Sequence, residues 1–289
     1  MSPLAEVVHV ARRELWRSAR SAKGIFLGLL SLLGALAISF VCVWVDAASR
    51  ASAPSTAQFV ELKTIALEKA TGDATLAAYL ASSPTALLFF LEATVWLTPA
   101  VVALLGFDAI TSDLQGRSIR YWAARVRRSS YLVGKLVGLW ATVGAVVLAM
   151  NAIAGCVVLG RGYVTVGQLI FWGFRFWFVA FVIAGAWCSL AILVSASFRT
   201  PMLSLLATAG TFWSVGIFGA VAAGARRSDA LARGIVRGMN WYEYMYPNAY
   251  DMPLMSPERT KVFAAMGLMA VFIGAVTSIA VYLFQRRDI

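Results

Sequence analysis

The chain is short of histidine, acid and cysteine. His9 is its only histidine, which speaks against bis-histidine haem ligation, a histidine-built metal centre or a Ser–His hydrolase. Its apolar runs carry no paired acids, which speaks against a membrane enzyme. No G-x-x-x-x-G-K-[ST] stretch occurs. Gly134-Lys135 is followed by Leu136 and lacks the upstream glycine, so the chain cannot supply its own P-loop. Cys42, Cys156 and Cys188 fall inside apolar runs, where small packing residues are a better reading than disulfides or metal ligands. Acids number 14 against 25 Lys and Arg, a net charge of +11. Most of the bases flank apolar runs, where orientation and anionic lipid account for them. No nucleic-acid partner is implied.

What fills the chain instead is apolar. Hydrophobic residues make up 60% of it and the mean hydropathy is +0.76, above the roughly 45–50% of soluble domains. Six runs, at about 24–45, 84–106, 131–159, 168–196, 202–224 and 262–284, are long enough for a hydrocarbon core of about 30 Å. The expectation is an all-α polytopic membrane protein with six transmembrane helices over 24–289. Basic segments at 12–23, 117–128 and 286–287 place both termini in the cytoplasm. Gly24 and Gly28 form a small-x-x-x-small pair that can serve helix packing. There is no clear internal repeat.

Residues 1–23 put Leu4, Val7, Val8, Ala11 and Leu15 on one helical face, ringed by Arg12, Arg13, Arg17, Arg20 and Lys23. Such a helix lies in the membrane interface. A signal-peptide reading, with cleavage after Ala51-Ser52-Ala53, meets an apolar run too long for it.

The polar stretch Phe107–Lys135 interrupts the apolar runs. Ile119, Trp122, Ala123 and Val126 recur at helical spacing, predicting a short amphipathic helix on the cytoplasmic face. Asp113 precedes it and can cap it. This loop, 107–130, either docks a soluble partner or only fixes orientation. The stretch 46–83 has little basic bias and faces outward. It holds one amphipathic helix, broken at Thr71-Gly72-Asp73, and is either a leaflet-bound cover or a plain connector. The second outer loop, 225–261, carries more arginine than the charge rule favours. Its aromatic cluster Trp241–Pro247 suits an interface.

Three polar residues lie inside spans. Glu92 is costly there and either lines a cavity or makes a structural bond. Asn151 is either helix–helix glue or a pathway contact. Arg175, beside Phe171, Trp172, Phe174, Phe176, Trp177 and Phe178, can snorkel outward. A Glu92–Arg175 pair is open in principle, and with it an ion- or proton-coupled secondary transporter.

The order of Asp113, Gly116, Arg120, Tyr121, Trp122, Arg128, Gly134 and Lys135 resembles the loop between the second and third spans of ABC-2 type permeases, the membrane subunits of ATP-driven exporters. Arg125-Val126-Arg127-Arg128 stands where that family often has a proline. The closing Tyr282–Ile289 is similar to the family's C-terminus. The resemblance implies an elbow helix at 1–23 and a coupling role for Asp113, Gly116, Arg120, Tyr121, Trp122, Arg125 and Arg128. It also implies short outer helices within 225–261. The implied partners are an ABC ATP-binding subunit holding ATP and Mg, a second permease copy in a homodimer, and membrane lipid. It leaves room for an extracytoplasmic accessory protein. The implied location is the bacterial cytoplasmic (inner) membrane. No catalytic residue, metal or cofactor is implied in the chain itself.

Overall fold

The computed structural model describes residues 2–51, 55–116, 118–123, 125–162, 164–227 and 246–286, with backbone alone at 120, 121, 123 and 218–227. Helix α1 (Pro3–Arg20) begins where Ser2 accepts the Ala5 N–H and Pro3 takes the first turn, a residue pair suited to a helix start. A corner at Ser21 leads into α2 (Ala22–Ala51). Gly24 is required at that corner, since a Cβ there would lie 1.8 Å from the Ser18 carbonyl oxygen. Gly28 meets nothing within 4 Å, so the Gly24/Gly28 pair is not a packing notch among the described residues.

On one side lie α3 (Thr56–Thr71) and α4 (Ala74–Ala81). Gly72, at φ 70°, closes α3 in the left-handed conformation, and Asp73 caps α4 through the Thr75 and Leu76 N–H groups. These are the signals the sequence shows at 71–73. Lys63 of α3 donates to the carbonyls of Ala81 and Ser83. Burial pushes its ammonium down to about 8.

The long helices follow: α5 (Thr85–Gly106), α8 (Arg128–Gly160), α9 (Val166–Ser197), α10 (Pro201–Arg227) and α12 (Arg259–Gln285). Between α5 and α8 sit α6 (Thr111–Gln115) and α7 (Ser118–Ala123). Between α10 and α12 come a 3-10 turn (Pro247–Tyr250) and α11 (Asp251–Met255). Among the described residues, five segments are long and apolar enough to cross a membrane: Ala22–Ala51, Thr85–Gln115, Arg128–Gly160, Val166–Ser197 and Arg259–Gln285. Helix α10 adds a shorter apolar segment, Pro201–Ile217. No strand occurs among the described residues. The chain is an all-helical, multi-pass membrane protein. The outer aromatic cluster lies largely outside the described residues, which resume at Tyr246.

Helix α9 is the centre of the bundle. Val179, Ala180, Ile183, Ala184, Ala186, Cys188, Ala191 and Ile192 are fully buried, because α5, α8, α10 and α12 all pack on it. Small residues carry most of that surface, as close helix approach in a membrane requires. Helix α2 is the opposite case. Phe26, Leu29, Leu33, Val41 and Trp44 are more than half exposed, so no described part of the chain covers that apolar face.

Candidate functional site

Helix α1 lies directly on α8. Two glycines on α8 make this possible: a Cβ at Gly134 would lie 2.6 Å from Val10 Cβ, and one at Gly138 would lie 2.7 Å from Glu14 Cβ. Spaced by four, they form one notch on one helical face. Val10 is 2% exposed and Glu6 is 6% exposed there, whereas Leu4 and Val8 point outward. The apolar stripe predicted for residues 1–23 is split: Leu4, Val8 and Leu15 are exposed, whereas Val7 and Ala11 are half-buried against Gly134 and Gly138 of α8.

That seating brings four elements together around Asp113. Lys135 Nζ of α8 lies 2.8 Å from Asp113 Oδ2 and 2.7 Å from Glu14 Oε2 of α1. The Tyr131 hydroxyl donates to Asp113 Oδ2 at 2.6 Å. Arg17 of α1 donates to Asp113 Oδ1 at 3.1 Å and to Ser112 Oγ at 3.3 Å. The Ser118 hydroxyl donates to Asp113 Oδ1 at 3.0 Å. Asp113 is 7% exposed, so these donors replace the water that a carboxylate needs. The network can hold position and transmit force.

The same loop is held from the other sides. Lys23 reaches Asp108 Oδ1 at 2.5 Å and sits 4.1 Å over the Phe107 ring. The Ser195 hydroxyl of α9 accepts the Ile110 N–H at 3.0 Å. The Ser204 hydroxyl of α10 donates to the Phe107 carbonyl at 2.6 Å. Residues 107–113 are thus bonded to α1, α2, α8, α9 and α10.

The sequence predicts one amphipathic helix with Asp113 as its cap. The structure has two short helices, α6 and α7, and Asp113 lies within the first. Its side chain serves Lys135, Tyr131 and Arg17 as well as the Ser118 hydroxyl at the start of α7. Gly116 closes α6, its N–H bonded to the Ser112 carbonyl at 2.9 Å. The stripe itself is present, with Ile119, Trp122 and Val126 buried. Trp122 faces inward, 7% exposed. Its ring centroid is 6.4 Å from His9 and 6.1 Å from Tyr131, and Arg13 lies 4.5 Å over its face. Arg125 is exposed. Arg128 donates to the Gln285 carbonyl at 2.9 Å, tying the loop to the end of α12. The side chains of Arg120 and Tyr121 lie outside the described residues.

The three intramembrane candidates do not converge. The Asn151 amide donates to Val147 in its own helix at 2.9 Å. Arg175 donates to the Met255 and Ser256 carbonyls at 3.0 and 2.7 Å and stacks on Tyr79 at 5.0 Å. Glu92 acts instead on Asp251: burial and the Glu92 charge push the Asp251 carboxyl up to about 7. An apolar cavity of about 590 Å³ lies between α5 and α10, walled by Trp96, Trp187, Phe212, Trp213 and Tyr246 with Asn248. None of the three candidates lines it. Asn248 is fixed there, accepting from Trp187 Nε1 at 2.8 Å and donating to the Val95 carbonyl at 3.2 Å.

Sequence reasoning missed Glu14, Arg17 and Tyr131. Glu14 and Arg17 share one side of α1 at helical spacing, but their partners lie about a hundred residues away. Among the described residues no cluster of His, Cys, Asp and Glu is arranged to hold a metal ion.

No curated protein matches the chain. The family described as ABC-2 family transporter protein matches residues 8–289, nearly the whole sequence, and the chain belongs to it.

Proposed function

We propose that this chain is the permease subunit of an ATP-driven exporter. It has six spans, with α10 as the fifth, both termini in the cytoplasm, and sits in a bacterial cytoplasmic membrane. Two copies enclose the pathway. A separate ATP-binding subunit docks on the 107–130 loop and holds the ATP and Mg. Hydrolysis is that partner's task, since the chain carries no P-loop. An accessory protein on the outer side is compatible with the loops at 46–83 and 225–261.

One observation carries the coupling role. Residues 107–113 are bonded to five helices, through Arg17, Lys23, Lys135, Ser195 and Ser204. A loop so tied cannot shift without moving the bundle. Packed cores switch between discrete arrangements rather than deform continuously. A docking subunit that moves the loop therefore biases the whole bundle between inward- and outward-facing states. Arg125 and Arg127 are exposed on this surface, suited to acidic residues of a partner.

The test is retention of a soluble P-loop ATPase, encoded beside this chain, on affinity-tagged permease in detergent. Stoichiometric retention, lost when residues 124–128 are replaced by a neutral linker in a monodisperse protein, supports docking at the loop. Transport driven by an ion gradient without any ATPase overturns the reading.

A further inference from the structure

We propose that the groove between α9 and the α11–α12 connection binds one phospholipid, its phosphate on Arg175 and Arg259 and an acyl chain along the groove. The groove has a volume of about 680 Å³, within the roughly 300–1,000 Å³ of small-molecule sites. Its apolar wall includes Ile170, Phe174, Phe178, Leu254 and Phe263. Ile170, Phe174 and Phe263 are each more than 60% exposed. The groove therefore opens sideways, on the flank of two helices of membrane-spanning length. Its occupant must come from the bilayer.

The polar end selects the headgroup. Two of the lining residues are arginines and none is an acid. Arg175 is held by the Met255 and Ser256 carbonyls and by the Tyr79 ring, yet its Nε–H is buried without a partner among the described residues. A buried donor left unmade is costly, and an anionic oxygen from the groove side satisfies it. Arg259 stands exposed at the mouth. The nearby acids are already committed: Glu258 and Asp73 both pair with Lys261, each at 2.9 Å. That leaves Arg259 without an ion-pair partner among the described residues. A guanidinium fork matches phosphate geometry and is weakly hydrated. One fixed and one exposed arginine at the head of an apolar trough complement a phosphate that carries a hydrocarbon chain. Neither a free anion nor a neutral lipid uses both parts.

The experiment is native mass spectrometry of the full chain in detergent, titrated separately with phosphatidylglycerol, with diacylglycerol and with inorganic phosphate. One phosphatidylglycerol per chain is expected to survive desolvation. Diacylglycerol, which lacks the phosphate, should be held at least about tenfold more weakly. Arg259→Gln removes one charge-assisted contact and should weaken phosphatidylglycerol roughly tenfold. Val262→Trp fills the trough while keeping both arginines and should abolish retention, with the melting temperature showing that the fold persists. Equal retention of diacylglycerol, or of phosphate alone, overturns the proposal. So does wild-type lipid binding in both variants. Loss of a dimer instead of a lipid in Val262→Trp assigns the groove to a second copy and overturns it as well.

Discussion

Lys135 sits between two carboxylates, 2.8 Å from Asp113 and 2.7 Å from Glu14, with its own side chain 3% exposed. The three residues come from α8, α6 and α1. Burying ions is costly unless each is paired and its remaining lone pairs are satisfied. Here Tyr131, Arg17 and Ser118 complete Asp113, so the cluster tolerates burial and fixes how three elements meet.

Lys135→Met leaves Asp113 and Glu14 facing each other, with Arg17 as the cation still paired to Asp113. A buried pair broken on one side costs about 3–5 kcal/mol, and thermal unfolding in detergent, followed by tryptophan fluorescence, should show a loss of that order. Adding Asp113→Asn removes one stranded charge and should restore part of it. A double variant no better than the single would mean that the two side chains are not coupled.

Trp122 and Arg125 should separate folding from docking. Trp122 is buried against His9, Arg13 and Tyr131, so Trp122→Ala should cost stability, about 3–5 kcal/mol for a large aromatic in a packed site. Arg125 is exposed. Arg125→Ala should lower melting by much less than Trp122→Ala and make ATPase retention weaker and more salt-sensitive, as rim charges do. The reverse pattern, a stable Trp122→Ala that sheds the ATPase, would move the docking anchor to the aromatic ring.

How far the sequence carries can be read from these same residues. Long helices announce themselves through apolar runs and end signals, such as Gly72 closing α3 and Thr165 with Gln168 opening α9. The apolar run alone does not set every end: α2 continues to Ala51, past the run at 24–45. The stripe Ile119, Trp122 and Val126 is legible as an apolar face, but periodicity does not say what covers that face. It is α1, and nothing local to 107–135 records that. Asp113 shows the same limit. A carboxylate before a helical stripe reads as a cap. Its partners Lys135 and Arg17 are brought to it by tertiary packing through Gly134 and Gly138, and that contact overrides the local preference.

Topology has a direct check. In a background with Cys42, Cys156 and Cys188 replaced, single cysteines at Val60 and at Arg125 should react with an impermeant maleimide from opposite sides of a sealed membrane. Val60 is 44% exposed on α3 and Arg125 is exposed beyond α7, so both are reachable. Labelling from the same side would require an even number of crossings between them, and the six-span arrangement would fall.

The last prediction concerns the acids on the other face of the bundle. Asp251 lies outside the spanning helices, its Oδ1 accepting from the Met252 N–H at 2.5 Å. Burial and the nearby Glu92 charge raise its carboxyl from 3.8 to about 7. The folded protein therefore binds this proton more tightly than the unfolded chain does. The sign follows by linkage: the contribution to stability is complete below the ordinary carboxylate pKa, 3.8, and is lost as pH rises through about 7. The melting temperature in detergent should fall across that window and level off above it. Asp251→Asn removes the titrating group and should flatten the curve. Glu92→Gln removes the repelling charge, so the window's upper end should move to lower pH while the group still titrates. A slope unchanged in Asp251→Asn would assign the dependence to another residue. An unchanged window in Glu92→Gln would show that burial alone, without the Glu92 charge, keeps Asp251 protonated.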